Sequence, residues 1–253
     1  MADIINPFLM IAGIGMMAVA AIAVAYWKTR SKAPWKFFVF GALVWAAAIA
    51  VKLLMDATIS GWLQNQVFIA YGIVPLLAFA SVYVGVRTGL LESGFSYFFA
   101  KKKFSKPKFN DAVAFGVGFG AVEAFILGLG SFLNIFLIWM YPQMLDSIGA
   151  VEKDMLLTSL SQSTLIAIPA IMERAAAIFI HAFAGVLALA SVKTGRMKYL
   201  WGSVAYKAVT DGLVPFLAIS STDIISAFLI EVPVMILGII GCFGMASMRK
   251  AFK

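Results

Sequence analysis

The sequence predicts an all-α fold, a polytopic bundle of about seven transmembrane helices with its N-terminus outside and its C-terminus in the cytoplasm. Three observations predict it. Hydrophobic residues make up 62% of the 253, only 13% are charged, and the mean hydropathy is +0.96, a balance far from that of soluble domains. Apolar runs of about 20 residues, each long enough to cross a ~30 Å hydrocarbon core as a helix, recur along the whole length. Basic residues gather in alternate connections, as they do in the cytoplasmic loops of membrane proteins.

The chain is therefore expected to form a single integral membrane domain, residues 1–253, with the lipid bilayer as its bulk partner and a prokaryotic plasma membrane as its default location. A formal charge of +8 would suggest nucleic acid in a soluble protein. Here the alternation assigns that charge to topology, and no nucleic-acid partner is expected. The single cysteine, Cys242, lies in an apolar run, which excludes an intrachain disulfide and a clustered-cysteine metal site.

The first span is expected from Asn6 to Trp27; it follows an acidic start and reads as an uncleaved anchor. After Lys28, Arg30 and Lys32 the second runs from Trp35 to Met55, and Lys52 with Asp56, four apart, is expected to pair or snorkel at its outer end. The third, Val67 to Leu91, leads toward the basic stretch KKKFSKPK, from Lys101 to Lys108. The fourth, Asn110 to Tyr141, and the fifth, Thr158 to Val192, are long enough to tilt or project, and Asp146, Glu152 and Asp154 lie between them. Lys193, Arg196 and Lys198 precede the sixth, Leu200 to Ser220. Asp223 precedes the seventh, Ile224 to Met248, which closes on Arg249, Lys250 and Lys253.

Ionisable residues inside a span cost about 2.5–3.5 kcal/mol each on insertion scales, so they face protein and have a partner or a task. In GVGFGAVEAFILG, Gly116, Gly120, Ala124 and Gly128 recur every four residues and make a smooth strip beside Glu123. In MERAAAIFIHAFAG, Arg174 and His181 are seven apart and share a face with Ala170, Ala177, Ala184 and Ala188, while Glu173 borders an adjacent crevice. In YKAVTDGLVP, Lys207 and Asp211 share a face, and Pro215 frees the Asp211 carbonyl and predicts a kink there. Counted from the cytoplasmic ends at ~1.5 Å per residue, Glu123, His181, Lys207 and Asp211 lie roughly 11–20 Å deep, in one layer; Glu173 and Arg174 lie at ~27–29 Å, nearer the outside. Each group also has a structural account: Glu173 with Arg174 as an internal salt bridge, Lys207 with Asp211 as another, His181 as a hydrogen-bonded packing residue. Glu231, before Pro233, is either a further member or a partner of Lys207.

The motifs GVGFGAVEA, MERAAAIFIH and YKAVTDG resemble, in order and topology, those of the YhfC-type intramembrane proteases, distant relatives of the CAAX prenyl endopeptidase and bacteriocin-processing membrane proteins. The resemblance covers essentially the whole chain. It implies a water-filled chamber in which Glu123 activates water as general base, while His181, Lys207 and Asp211 orient it and stabilise the oxyanion; separately, the depth count has Glu173 and Arg174 line an entrance or brace the site. Two departures stand out: the family pattern expects a histidine at the position of Phe119 and another at that of Lys207. With His181 the only histidine, no multi-histidine metal site can be built, and no metal and no cofactor are expected.

Three functions follow as alternatives. The first is an intramembrane endopeptidase acting on a membrane-protein or peptide substrate; the second, a catalytically inactive scaffold or binding subunit of the same superfamily; the third, a transporter using the charged layer as its pathway. A retinal protein also fits a buried lysine, but Lys207 is in the sixth span and the third shows no central carboxylate. A cysteine placed within Lys101 to Lys108 should react with an impermeant maleimide only after the membrane is opened. Labelling of intact cells there would reverse the topology.

Overall fold

The computed structural model describes residues 5–104, 106–217 and 224–253, and every regular element among them is helical. Six of the described helices are long and apolar enough to cross a bilayer: Pro7–Ser31, Trp35–Tyr71, Ile73–Lys103, Phe109–Met140, Thr164–Thr194 and Ile224–Phe252. Large apolar side chains such as Ile22, Leu43, Ile69 and Phe243 stay exposed on them, which suits lipid as solvent. The chain is an all-α polytopic membrane bundle.

The first helix, α1 (Met10–Ser31), is shifted four residues along from its expected span, Asn6 to Trp27, and takes in Lys28 and Arg30; the next two boundaries also move. The second helix, α2 (Trp35–Met55), does not stop at Asp56; a π-helical turn, Asp56–Ser60, carries it into α3 (Gly61–Tyr71). The chain reverses at Gly72, whose φ of 80° is open to glycine and disfavoured for other residues. It restarts as α4 (Ile73–Thr88). The expected third span, Val67 to Leu91, thus straddles the turn, because the residues on either side of Gly72 are apolar and hide it. Beyond α4 a second π-helical turn, Gly89–Ser93, leads into α5 (Gly94–Lys103), which ends on the lysines. That extension places Glu92 well inside a membrane helix.

The fourth span is α6 (Phe109–Met140), as expected. The fifth starts later than Thr158: α7 (Ala150–Leu160) is separate, and α8 (Ala167–Thr194) begins after a break at Ser161 to Ser163. Local hydrogen bonds stabilise the break, since the Ser163 hydroxyl accepts from the Leu165 amide and the Asn6 side chain donates to the Gln162 carbonyl at 2.9 Å. The expected sixth span contains α9 (Met197–Gly212) and the short α10 (Val214–Leu217). The interruption falls where Pro215 predicts it, and the Asp211 carbonyl accepts instead from the Leu213 amide. At about 24 Å, α9 is shorter than the six crossing helices. The expected end of that span at Ser220, together with Asp223 and the acidic start of the chain, lies outside the described residues. The last helix is α11 (Ile224–Ser247).

Helices α6 and α8 form the centre, with α1 and α2 packed on α6, α9 and α11 packed on α8. The basic connections meet at one end of the bundle, where the rings of Phe37 and Phe104 lie 4.5 Å apart and those of Phe109 and Phe252 5.8 Å apart. At the other end the Asn6 amide donates to the Leu160 carbonyl at 2.8 Å. The predicted small-residue strip works in two directions: Gly116 and Gly120 face α8, whereas Gly128 faces α1. The α6–α8 contact is closest at Gly116, where a Cβ would stand 2.5 Å from both the Ala182 Cα and the His181 carbonyl oxygen. Only backbone lies there, so nothing can swing aside. Gly116→Val should lower the stability of purified protein by about 1–3 kcal/mol in thermal or denaturant unfolding, while Gly130→Ala, with open space around it, should change it little.

Candidate functional site

The α6–α8 contact sets the geometry of the charged centre. Because Gly116 and Gly120 let the two backbones meet, Glu123 on α6 reaches His181 on α8, with 3.1 Å between Oε2 and Nε2. The same Oε2 accepts a 2.8 Å hydrogen bond from the Trp45 indole on α2. Its other oxygen, Oε1, accepts from Arg174 Nη1 at 3.0 Å, and the rest of that guanidinium donates to both oxygens of Glu173. A carboxylate has about four acceptor positions, and three of those on Glu123 are taken.

His181 is equally occupied. It is buried, with the Phe119 ring stacked on it at 4.9 Å between centroids. Its Nδ1 lies 3.4 Å from Lys207 Nζ. An ammonium can only donate, so Nδ1 is the acceptor, which leaves Nε2–H to donate to Glu123. The two positions at which the family resemblance expects histidines, Phe119 and Lys207, are thus the two side chains packed on His181.

Lys207 is 3% exposed and joins this group to a second one. Its Nζ stands 2.9 Å from Glu92 Oε2 and 3.8 Å from Asp211 Oδ1. Glu92 Oε1 accepts from Lys52 Nζ at 2.6 Å. The approach of α9 that permits this depends on Gly89, where a Cβ would lie 2.5 Å from the Val204 carbonyl oxygen. The result is one chain of contacts, Lys52–Glu92–Lys207–His181–Glu123–Arg174–Glu173, with Asp211 as a branch.

All six predicted site residues, Glu123, Glu173, Arg174, His181, Lys207 and Asp211, therefore fall in one network, although Asp211 reaches it only through Lys207. Three further members lie outside the predicted set, Lys52, Glu92 and Trp45. The expectation that the third span lacks a central carboxylate is corrected by Glu92, and the expected Lys52–Asp56 pair is replaced by Lys52–Glu92 and Arg87–Asp56. Glu92 was hidden because the polar LESG stretch resembles the end of a span. Drawing the helix back from Lys101 to Lys103 over membrane thickness would have enclosed it. Glu231 is not a partner of Lys207; it lines a separate opening of about 390 Å³ with Ile166, Pro169, Glu173, Arg174 and Leu217. The cavity beside His181 and Lys207 measures only about 10 Å³, room for about one water, where the resemblance implied a water-filled chamber.

A family model described as YhfC intramembrane metalloprotease matches residues 15–234. No curated protein and no solved structure matches the chain. The geometry makes Glu92 the keystone of the second ion group, because its removal would leave Lys52 and Lys207 facing one another. Glu92→Ala should cost about 3–5 kcal/mol in unfolding measurements, and adding Lys52→Met should recover part of that loss. A Glu92→Ala protein as stable as the wild type would show that the carboxylate is not holding the two ammonium groups.

Proposed function

The chain belongs to the YhfC intramembrane metalloprotease family, and from the state of its charged centre we propose that it is a non-catalytic member, a scaffold or binding subunit built on a membrane-protease fold. The observation that carries this reading is the clamping of Glu123. A general base must offer a free lone pair to a water that also reaches the scissile carbonyl. Here Arg174, Trp45 and His181 all converge on that carboxylate. His181 is held in turn by Lys207 and capped by Phe119.

The family description implies a metal ion, and the donor set does not fit one. Among the described residues no three of histidine, cysteine, aspartate and glutamate are grouped to hold a metal. The two that touch, Glu123 and His181, are each bound by a cation of the protein itself, Arg174 and Lys207. A divalent ion would have to displace one contact and face the other charge.

In the proposed role the opening lined by Glu173, Arg174 and Glu231 would receive a segment of a membrane-protein partner. Its apolar walls from α8, α10 and α11 suit such a segment, and its charged floor connects to the central network through Arg174. The protein would act in a prokaryotic plasma membrane with its basic loops in the cytoplasm.

A second reading, an intramembrane endopeptidase, is favoured by one observation: the Glu123 side chain retains 19% exposure. In it Glu123 activates water, His181 carries the proton, and Lys207 with Asp211 orients the centre and supplies positive charge to an oxyanion. The two readings separate in one experiment. A library of membrane proteins in matched bilayers is incubated with wild type or with Glu123→Gln, both checked for folding. The non-catalytic reading expects the same peptides from both; products present with wild type and lost in the variant would make the protein a protease with Glu123 as its base.

A further inference from the structure

Each carboxylate of the central network has a cation beside it, but α11 carries a carboxylate that has none. Glu231 is half-buried, and no described residue donates a hydrogen bond to it or pairs with it. It stands about 10 Å along α11 from Ile224, and Glu173 stands about 9 Å along α8 from Ala167. Both line the opening of about 390 Å³, whose walls include the apolar Ile166, Pro169 and Val234. Arg174 lines it too, but its guanidinium is already engaged by Glu173 and Glu123. One cation thus serves two carboxylates there, and Glu231 adds a third.

The geometry points to a docking site for a lysine or arginine side chain carried on a partner's transmembrane helix, with Glu231 as its counterion. The inference names the partner chemistry of the non-catalytic reading and rests on it. An ion inside a span is costly to either helix alone, so a lone carboxylate on one and a lone cation on the other draw together. Lysine and arginine also bring an apolar stem, which suits the walls of the opening while the charged head reaches Glu231. The volume falls within the range of small-ligand sites, roughly 300–1,000 Å³. Depth sets the register: the partner's cation must lie about 10 Å inside its own membrane end, about seven residues along its helix. An uncharged segment would leave Glu231 unmatched, and an acidic one would be repelled.

The test uses the full chain in lipid nanodiscs and two transmembrane peptides of leucine and alanine, identical except for lysine or methionine about seven residues from one end. Binding is read as energy transfer from a dye on the peptide to one on Cys242, which is exposed and the only cysteine. Wild type should hold the lysine peptide at least about tenfold more tightly than the methionine peptide. Glu231→Gln should remove that preference, and Glu231→Lys should favour a third peptide with glutamate at the same place. Equal binding of the lysine and methionine peptides to wild type would overturn the proposal whether or not the variants fold. Apolar contact alone, from lipid or from a second copy of this chain, would then account for the opening. A lysine preference that survives in folded Glu231→Gln would overturn it as well. The non-catalytic reading fails separately: cutting of the lysine peptide by wild type and not by Glu123→Gln would end that reading while the tenfold preference stands.

Discussion

A charge inside a hydrocarbon layer must be met by an opposite charge or a hydrogen bond, because no water is at hand to solvate it. The centre of this protein is arranged around that constraint. Lys52, Lys207 and Arg174 face Glu92, Asp211, Glu123 and Glu173, and the His181 imidazole joins the two halves. Each member has at least one partner on another helix or is one bond removed from such a pair. Glu92, Lys207 and Arg174 each hold two partners, so the network ties α2, the π-turn before α5, α6, α8 and α9 together as a unit.

Packing makes the electrostatics possible. Side chains of ordinary length bridge between helices only if the backbones are near, and the near approaches occur at Gly116 between α6 and α8 and at Gly89 between the π-turn and α9. These two contacts set the height at which Glu123 meets His181 and Glu92 meets Lys207. The π-turn at Gly89–Ser93 adds a local change of helical phase just where Glu92 turns inward. The balance reached is a centre in which most charged atoms have a partner, with room for about one water beside His181 and Lys207.

The membrane class, the helical architecture and the convergence of Glu123, His181, Lys207 and Asp211 were legible from composition, periodicity and depth. Helical spacing put Arg174 and His181 on one face, and the structure brings both to Glu123. What could not be read were contacts made at long range and turns made without polar residues. Gly72 turns the chain between apolar neighbours, so hydropathy runs through it, and a span counted from Val67 reaches membrane thickness by Leu91, one residue before Glu92. Trp45 looked like one more apolar residue in α2; only the position of α6 aims its indole at Glu123. Lys52 and Asp56 have helical spacing, yet each finds a partner on the α4–α5 helix: Lys52 pairs with the buried Glu92, and Asp56 with Arg87.

His181 is the only histidine in the chain, so nitrogen-15 labelling of histidine reports on this one ring. The ring joins the two halves of the network, and its two nitrogens have different assigned partners. The measurement is the nitrogen NMR spectrum of histidine-labelled wild type in bilayers, with and without added zinc. The network requires an unprotonated Nδ1 that accepts from Lys207, a protonated Nε2 directed at Glu123, and no change with zinc. A zinc-dependent shift of either nitrogen, or a ring with its proton on Nδ1, would contradict it and return His181 to the role of a metal ligand or catalytic group.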